Sequence, residues 1–82
     1  MSESSTVARP IAIIGGTGPA GMGLALRWAR AGETIIIGSR DAARAQKTAE
    51  DIKQKIGPDA NISGMENSAA CAAADILMLI RE

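Results

Sequence analysis

The sequence predicts an α/β fold, a three-layer arrangement in which a parallel sheet of about four strands is covered by helices. Two patterns alternate along the chain: short apolar runs rich in isoleucine, and longer segments whose apolar residues recur every three or four positions. Continuous apolar runs are typical of parallel strands buried on both faces, and the longer period is typical of amphipathic helices. The elements follow the order β-α-β-α-β-α-β, for which doubly wound sheets predict the strand order 3-2-1-4.

Length and composition restrict the class of protein. The 82 residues suffice for one small domain, and with one Trp and no Phe or Tyr its core must be aliphatic. The net charge of zero gives no reason to expect nucleic acid or an anionic membrane as a partner. The absence of His argues against a zinc site. A single cysteine, Cys71, cannot form an internal disulfide, and we expect it to pack as a small apolar residue.

Residues 1–8 are polar and lack the apolar centre of a signal peptide, so we expect a disordered tail before a domain at residues 9–82. No run approaches the ~18 apolar residues of a membrane helix. Together with the lone cysteine, these features favour a cytoplasmic protein.

In the first half of the chain, strands are expected at residues 11–15 and 34–38, with a helix at residues 19–31 between them. Gly32 has the position of a C-cap glycine. Trp28 lies beside the small-residue face of this helix, and we expect it to cover the edge of the core rather than to stack on a cofactor base.

In the second half, a helix is expected at residues 41–56, where Gly57-Pro58 ends it. A short strand at residues 61–65 and a helix ending at residue 74 follow, with Asn67 or Ser68 as the capping residue. Residues 75–80 are expected to form a fourth, fully apolar strand.

A glycine-rich turn joins the first strand to the first helix, where residues 16–21 read G-x-G-x-x-G. In that motif Gly18 lets a pyrophosphate approach the main chain, and Gly21 lets the helix pack closely on the strand. The diphosphate lies on free N–H groups at the positive end of the helix, where Pro19 is tolerated. The context of strand, turn, helix and second strand indicates a dinucleotide site, although a tight turn in another α/β protein is the alternative.

The end of the second strand indicates which dinucleotide is bound. NAD-binding sites usually place an acidic residue about 20 residues beyond the glycines, to bind the ribose diol. Here Gly38-Ser39-Arg40 occupies that position, and a hydroxyl with a guanidinium favours the 2′-phosphate of NADP. Arg44, one helical turn further, and Thr17, in the glycine loop, can contact the same phosphate.

Two alternatives to this assignment remain open. Asp41 is also near the spacing expected of the acidic NAD residue, although a helix N-cap is the interpretation we favour for it. Arg40 and Arg44 can alternatively belong to a solvated surface. The candidate cofactor-binding residues are Gly16, Thr17, Gly18, Pro19, Ala20, Gly21, Ser39, Arg40 and Arg44.

The chain closely resembles the deazaflavin-dependent NADP reductases, which are NADPH:F-420 oxidoreductases. The resemblance rests on Ile13-Ile14-Gly15-Gly16-Thr17-Gly18, Gly21-Met22-Gly23-Leu24-Ala25-Leu26-Arg27, Ile36-Ile37-Gly38-Ser39-Arg40, Ile62-Ser63-Gly64-Met65-Glu66-Asn67 and Ala74-Asp75-Ile76-Leu77. It implies a Rossmann-like NADP domain, hydride transfer between NADP(H) and coenzyme F-420, and a 2′-phosphate held by residues matching Thr17, Ser39, Arg40 and Arg44.

The family continues beyond the fourth strand into the region that holds the nicotinamide and the deazaflavin. We therefore expect an incomplete NADP-binding domain that is inactive by itself, and we assign no catalytic or metal-binding residue. Two other functions remain open: an NADP(H)-binding sensor or interaction module, and a fragment of an extended short-chain reductase. The apolar fourth strand would be a sheet edge, which predicts self-association or a partner chain.

Overall fold

The computed structural model describes residues 9–15 and 18–79. The predicted tail at residues 1–8 lies outside this part of the chain and stays a prediction. The described elements are β1 (Ile11–Ile14), α1 (Pro19–Arg30), β2 (Ile35–Ser39), α2 (Ala42–Ile56), β3 (Ile62–Glu66), α3 (Asn67–Ala73) and β4 (Ile76–Leu79). Their order and type confirm the α/β prediction, with ends that differ by one or two residues.

The four strands form a parallel sheet in the order β3-β2-β1-β4, as the sequence predicted. β1 lies in the interior, where Ile13 is opposite Ile37 of β2 and Met78 of β4. β2 runs one residue beyond its predicted end because Ser39 still pairs with Glu66 of β3. All four carboxyl ends meet at one edge of the sheet, which is where ligands bind in open α/β folds.

The side chains of β2 alternate between two cores. Ile35 and Ile37 are fully buried in the larger core, together with Ala25 of α1 and Ile52 of α2. Ile36 faces the other side. There it meets a smaller cluster, whose buried members are Ala12, Ile36 and Ala70 of α3. The continuous apolar character of the strand therefore has its expected cause, since helices cover both faces.

Two predictions about single side chains had different outcomes. Trp28 is half-buried and packs against the larger core, which confirms its assignment to the core edge. The packed position expected for Cys71 is wrong, because this residue is exposed. The helix buries Ala70, and the next residue, about 100° around the helix axis, faces away from the sheet.

The helix ends show which capping predictions held. Asp41 caps α2, and its Oδ1 accepts a hydrogen bond from the Ala43 N–H at 3.0 Å, as predicted. The cap predicted for α3 is wrong. β3 extends to Glu66, so α3 begins directly afterwards and the Glu66 carboxylate accepts from the Ser68 N–H at 2.9 Å. Beyond α1 the C-cap is Ala31, and Gly32 follows with a φ of 90°.

Gly64 of β3 permits a close approach of α2 to the sheet. A Cβ built there would collide with the carbonyl group of Ala45 in α2 and would lie 2.6 Å from the Gln46 N. The absence of a side chain at Gly64 therefore determines how near α2 lies to the sheet. Arg44 precedes Ala45, so the same contact also fixes the position of a predicted cofactor-binding residue.

Candidate functional site

The site begins where β1 ends. The Gly15 N–H donates to the Gly38 carbonyl at 3.0 Å, which extends the pairing of β1 with β2 by one step. Gly15 then has a φ of 77°, a left-handed conformation that a residue with a Cβ adopts at a cost. Glycine adopts this conformation without strain, so Gly15 suits the end of the strand. β1 ends just before Gly15, and α1 begins at Pro19.

Within the described residues, no side chain caps the first turn of α1. Gly18 is the N-cap and makes no side-chain capping bond, and Pro19 is the first helical residue, as predicted. The first turn contains no acidic side chain, and the Met22 N–H is the donor to the Gly18 carbonyl at 3.0 Å. A helix end of this kind carries partial positive charge and binds anions.

A cleft of about 860 Å³ opens between this helix end and the carboxyl ends of β1 and β2. It is lined by Gly15, Gly18, Met22, Ser39, Arg40, Asp41, Arg44, Thr48, Asp51 and Asn67. The structure thus brings together four predicted cofactor-binding residues from three separate parts of the sequence: Gly18, Ser39, Arg40 and Arg44.

The other predicted cofactor-binding residues lie elsewhere or outside the described chain. Pro19 and Ala20 are exposed in the first turn of α1 and do not line the cleft. Gly21 is buried in α1, consistent with a packing role. The predictions for Gly16 and Thr17 concern residues outside the part of the chain that the structure describes.

Ser39 is held firmly at the end of β2. Only 8% of its surface is exposed, and its Oγ accepts a hydrogen bond from the Asp41 N–H at 3.2 Å. A hydroxyl has one donor and two acceptor positions, so the Ser39 O–H still has its hydrogen to donate to a ligand in the cleft. The main-chain N–H of Asp41 thus fixes the position of this hydroxyl at the edge of the cleft.

The charges around Ser39 are mixed, with two guanidiniums at the mouth of the cleft. Arg40 and Arg44 are exposed and four residues apart, and both line the cleft. The carboxylate of Asp41 already accepts a main-chain hydrogen bond of α2. Asp51 lies seven residues beyond Arg44, roughly 10 Å along the helix axis. Two guanidiniums therefore lie near the end of β2, where they can bind an anionic group, beside a carboxylate that is held by the helix cap.

Sequence reasoning missed Asn67 as a residue of the cleft and considered it only as a helix cap. This residue lies directly after β3, at the same carboxyl edge as Ser39, and its Oδ1 is buried without a hydrogen-bond partner among the described residues. Its position immediately after a strand was the available signal. Met22, Thr48 and Asp51 were also missed, and no spacing rule identifies them.

Residues 9–15 and 18–79 contain no group of three or more His, Cys, Asp or Glu side chains that could hold a metal ion. Within the same ranges no helix has the length and apolar character required to cross a membrane.

Comparisons with known proteins identify the family. Residues 10–80 match the family model described as NADP oxidoreductase, coenzyme F420-dependent. The F420-dependent NADP reductase of Methanothermobacter thermautotrophicus is 51% identical over 70 residues, which cover 84% of this chain and 30% of that protein. The reductase of the same name from Methanocaldococcus jannaschii is 46% identical over 72 residues, 84% of this chain and 32% of that protein. This chain spans about a third of the length of these relatives, and it belongs to the family of coenzyme F420-dependent NADP oxidoreductases.

Proposed function

We propose that this chain binds NADP(H) in the cleft at the carboxyl edge of the sheet. In an active protein it would be the NADP-binding part of an oxidoreductase that transfers hydride between NADP(H) and coenzyme F-420. The observation that carries the proposal is the convergence of Ser39, Arg40 and Arg44 on one cleft with the uncapped end of α1. Family membership supports the same cofactor.

The described residues suit the two phosphate-bearing parts of this dinucleotide. The diphosphate would lie on the N–H groups at the start of α1, next to Gly18, where a side chain would obstruct it. The 2′-phosphate would accept from the Ser39 O–H and from the guanidiniums of Arg40 and Arg44. The Asp41 carboxylate, the candidate acidic residue for an NAD ribose, is engaged in capping α2.

The bound cofactor supplies the hydride, and the protein supplies binding and orientation. Transfer between two coenzymes depends mainly on their proximity and alignment, which needs no acid or base from the protein. We therefore assign the residues of the cleft to binding the adenosine and phosphate groups, and none to a proton transfer. We also infer that the chain alone does not transfer hydride, because the relatives named as reductases are about three times as long.

The test is a calorimetric titration of the chain with NADP⁺ and with NAD⁺. Two charge-assisted hydrogen bonds at ~1.5 kcal/mol each predict that NADP⁺ binds on the order of a hundredfold more tightly. Arg40→Ala and Arg44→Ala should each weaken NADP⁺ binding by about tenfold and leave NAD⁺ binding unchanged. Equal affinity for the two dinucleotides would refute the assignment.

Arg30→Ala is the matched control for these variants. Arg30 is exposed in the last turn of α1 and does not line the cleft. Its substitution removes one positive charge, as Arg40→Ala and Arg44→Ala do, but removes no group from the cleft. NADP⁺ should bind this variant within about twofold of the wild type. A loss as large as that of Arg40→Ala would show that net charge, rather than a local phosphate contact, controls the affinity.

A second candidate is an NADP(H)-binding module that acts through a protein partner. Its support is the exposed apolar surface of β4, where Ile76, Leu77 and Leu79 are 42%, 50% and 70% exposed. Both candidates require the same cleft, so dinucleotide binding does not separate them. Oxidation of NADPH in the presence of coenzyme F-420, by the chain alone and with a candidate partner, does so.

A further inference from the structure

Asn67 has the features of a ligand-binding residue. Its Oδ1 is shielded from solvent and accepts no hydrogen bond from the described residues. Buried polar side-chain atoms in folded proteins nearly always have a hydrogen-bond partner. An acceptor without one, in a residue that lines a cleft, therefore indicates a ligand contact. The residue as a whole is only partly buried and belongs to the lining of the cleft.

The resting position of the Asn67 amide is fixed by Gly38. A Cβ at Gly38 would lie 2.9 Å from the Asn67 Oδ1 and 2.9 Å from the Ile14 Cδ1, so the glycine makes room for the amide. Gly38 does not have a positive φ, and its role is therefore steric.

This arrangement makes a turn of the amide inexpensive. The final torsion of an asparagine side chain has broad minima, and no hydrogen bond of Oδ1 is lost when the amide rotates. A hydrogen bond to a ligand would replace an unsatisfied state rather than an existing bond. Asn67 and Ser39 line the same cleft, so one ligand can contact both residues.

We propose that Asn67 is a specificity-determining residue that hydrogen-bonds the adenosine moiety of the dinucleotide, beside the 2′-phosphate. This inference rests on the proposed function. An asparagine amide combines a donor and an acceptor, which matches a ribose 3′-hydroxyl or the edge of an adenine base. Guanidinium and hydroxyl groups recognise the phosphate, and the amide adds recognition of the nucleoside that carries it.

The first experiment follows the Asn67 side-chain NH₂ signals in ¹⁵N-labelled wild-type protein by NMR during titration with adenosine 2′,5′-bisphosphate. The signals are assigned by their absence in Asn67→Ala. We expect them to shift in a saturable manner, at the same ligand concentration as main-chain signals of Ser39. Signals that stay unchanged at saturation would overturn the proposal, and the titration itself is performed on the wild type alone.

The second experiment compares affinities by calorimetry. Asn67→Ala should bind NADP⁺ and adenosine 2′,5′-bisphosphate about three- to tenfold more weakly than the wild type. Asn61→Ala is the matched control, because Asn61 is exposed in the segment before β3 and does not line the cleft; its affinities should be unchanged. Without ligand, Asn67→Ala should unfold at the same temperature as the wild type or higher, since it removes an unsatisfied acceptor.

The outcomes separate this inference from the proposed function. If the wild type binds neither ligand, the proposed function fails. If it binds both and Asn67→Ala binds them equally well, only the role of Asn67 fails. If Asn67→Ala binds more weakly and also unfolds at a lower temperature, while the NH₂ signals of the wild type stay fixed, Asn67 is structural and the proposal is overturned.

Discussion

Gly64→Ala should test the packing on which the position of the cleft depends. The new Cβ would collide with the Ala45 carbonyl, and because these are main-chain atoms no rotamer change relieves the contact. α2 must move away from β3, although its buried residues Ala45, Ala49 and Ile52 are closely packed in the larger core. Overpacking of a core costs about 1–3 kcal/mol, and a rigid obstacle favours the upper end of that range.

An alanine also restricts the unfolded chain more than glycine does, which by itself stabilises the folded state by about 0.5–1 kcal/mol. The net destabilisation is then about 2 kcal/mol, a large part of the ~4–12 kcal/mol expected for a domain of this size. The midpoint of thermal unfolding should fall by on the order of 10 °C.

Far-UV circular dichroism and the fluorescence of Trp28, the single tryptophan, report this unfolding. The matched control is Gly23→Ala in α1, where the added Cβ would meet no atom within 4 Å. This variant should be more stable than the wild type by up to about 1 kcal/mol, because alanine favours a helix. The reasoning is refuted if Gly64→Ala unfolds at or above the wild-type temperature, since α2 would then not be limited by this contact.

Three further predictions concern the cap of α2, the space beside Gly38 and the exposed edge of β4. Asp41→Ala should lower stability by about 1 kcal/mol, measured by urea unfolding, because α2 loses its cap; NADP⁺ affinity should not fall, since a carboxylate leaves the cleft. Gly38→Ala should displace the Asn67 amide and weaken binding of adenosine 2′,5′-bisphosphate in calorimetry; unchanged affinity would contradict this. The wild type should self-associate in light scattering through the exposed edge of β4, and Leu79→Lys should reduce the association; a wild-type monomer at high concentration would exclude it.

The predicted part of the site follows from local rules of sequence. The run before Gly15, the glycine-rich turn and the absence of an acidic residue at Ser39 are all visible in the sequence, because each depends on residues within a few positions of one another. The predicted capping role of Asp41 was confirmed for the same reason. Family membership, recognised from these motifs, was confirmed by the comparisons.

The errors concern features set by the sheet and by the direction of α3. The pairing of Ser39 with Glu66 moves the end of each strand one residue beyond the predicted position, and Glu66 becomes the cap of α3. Cys71 is exposed because α3 is short and buries a single face at Ala70. Local composition determines neither the register of paired strands nor the rotation of a short helix.

By itself the sequence determined the strand order, and it predicts a glycine-rich dinucleotide turn and a preference for a phosphorylated ribose at the end of β2. These follow from apolar periodicity, glycine placement and side-chain charge, which act over short stretches of chain. Only the tertiary structure decided that Gly64 limits the approach of α2 and that Gly38 leaves space for an amide. It also decided that the Asn67 Oδ1 lies buried without a partner among the described residues. Such features depend on distances between residues far apart in the chain, and those distances exist only after the helices have packed on the sheet.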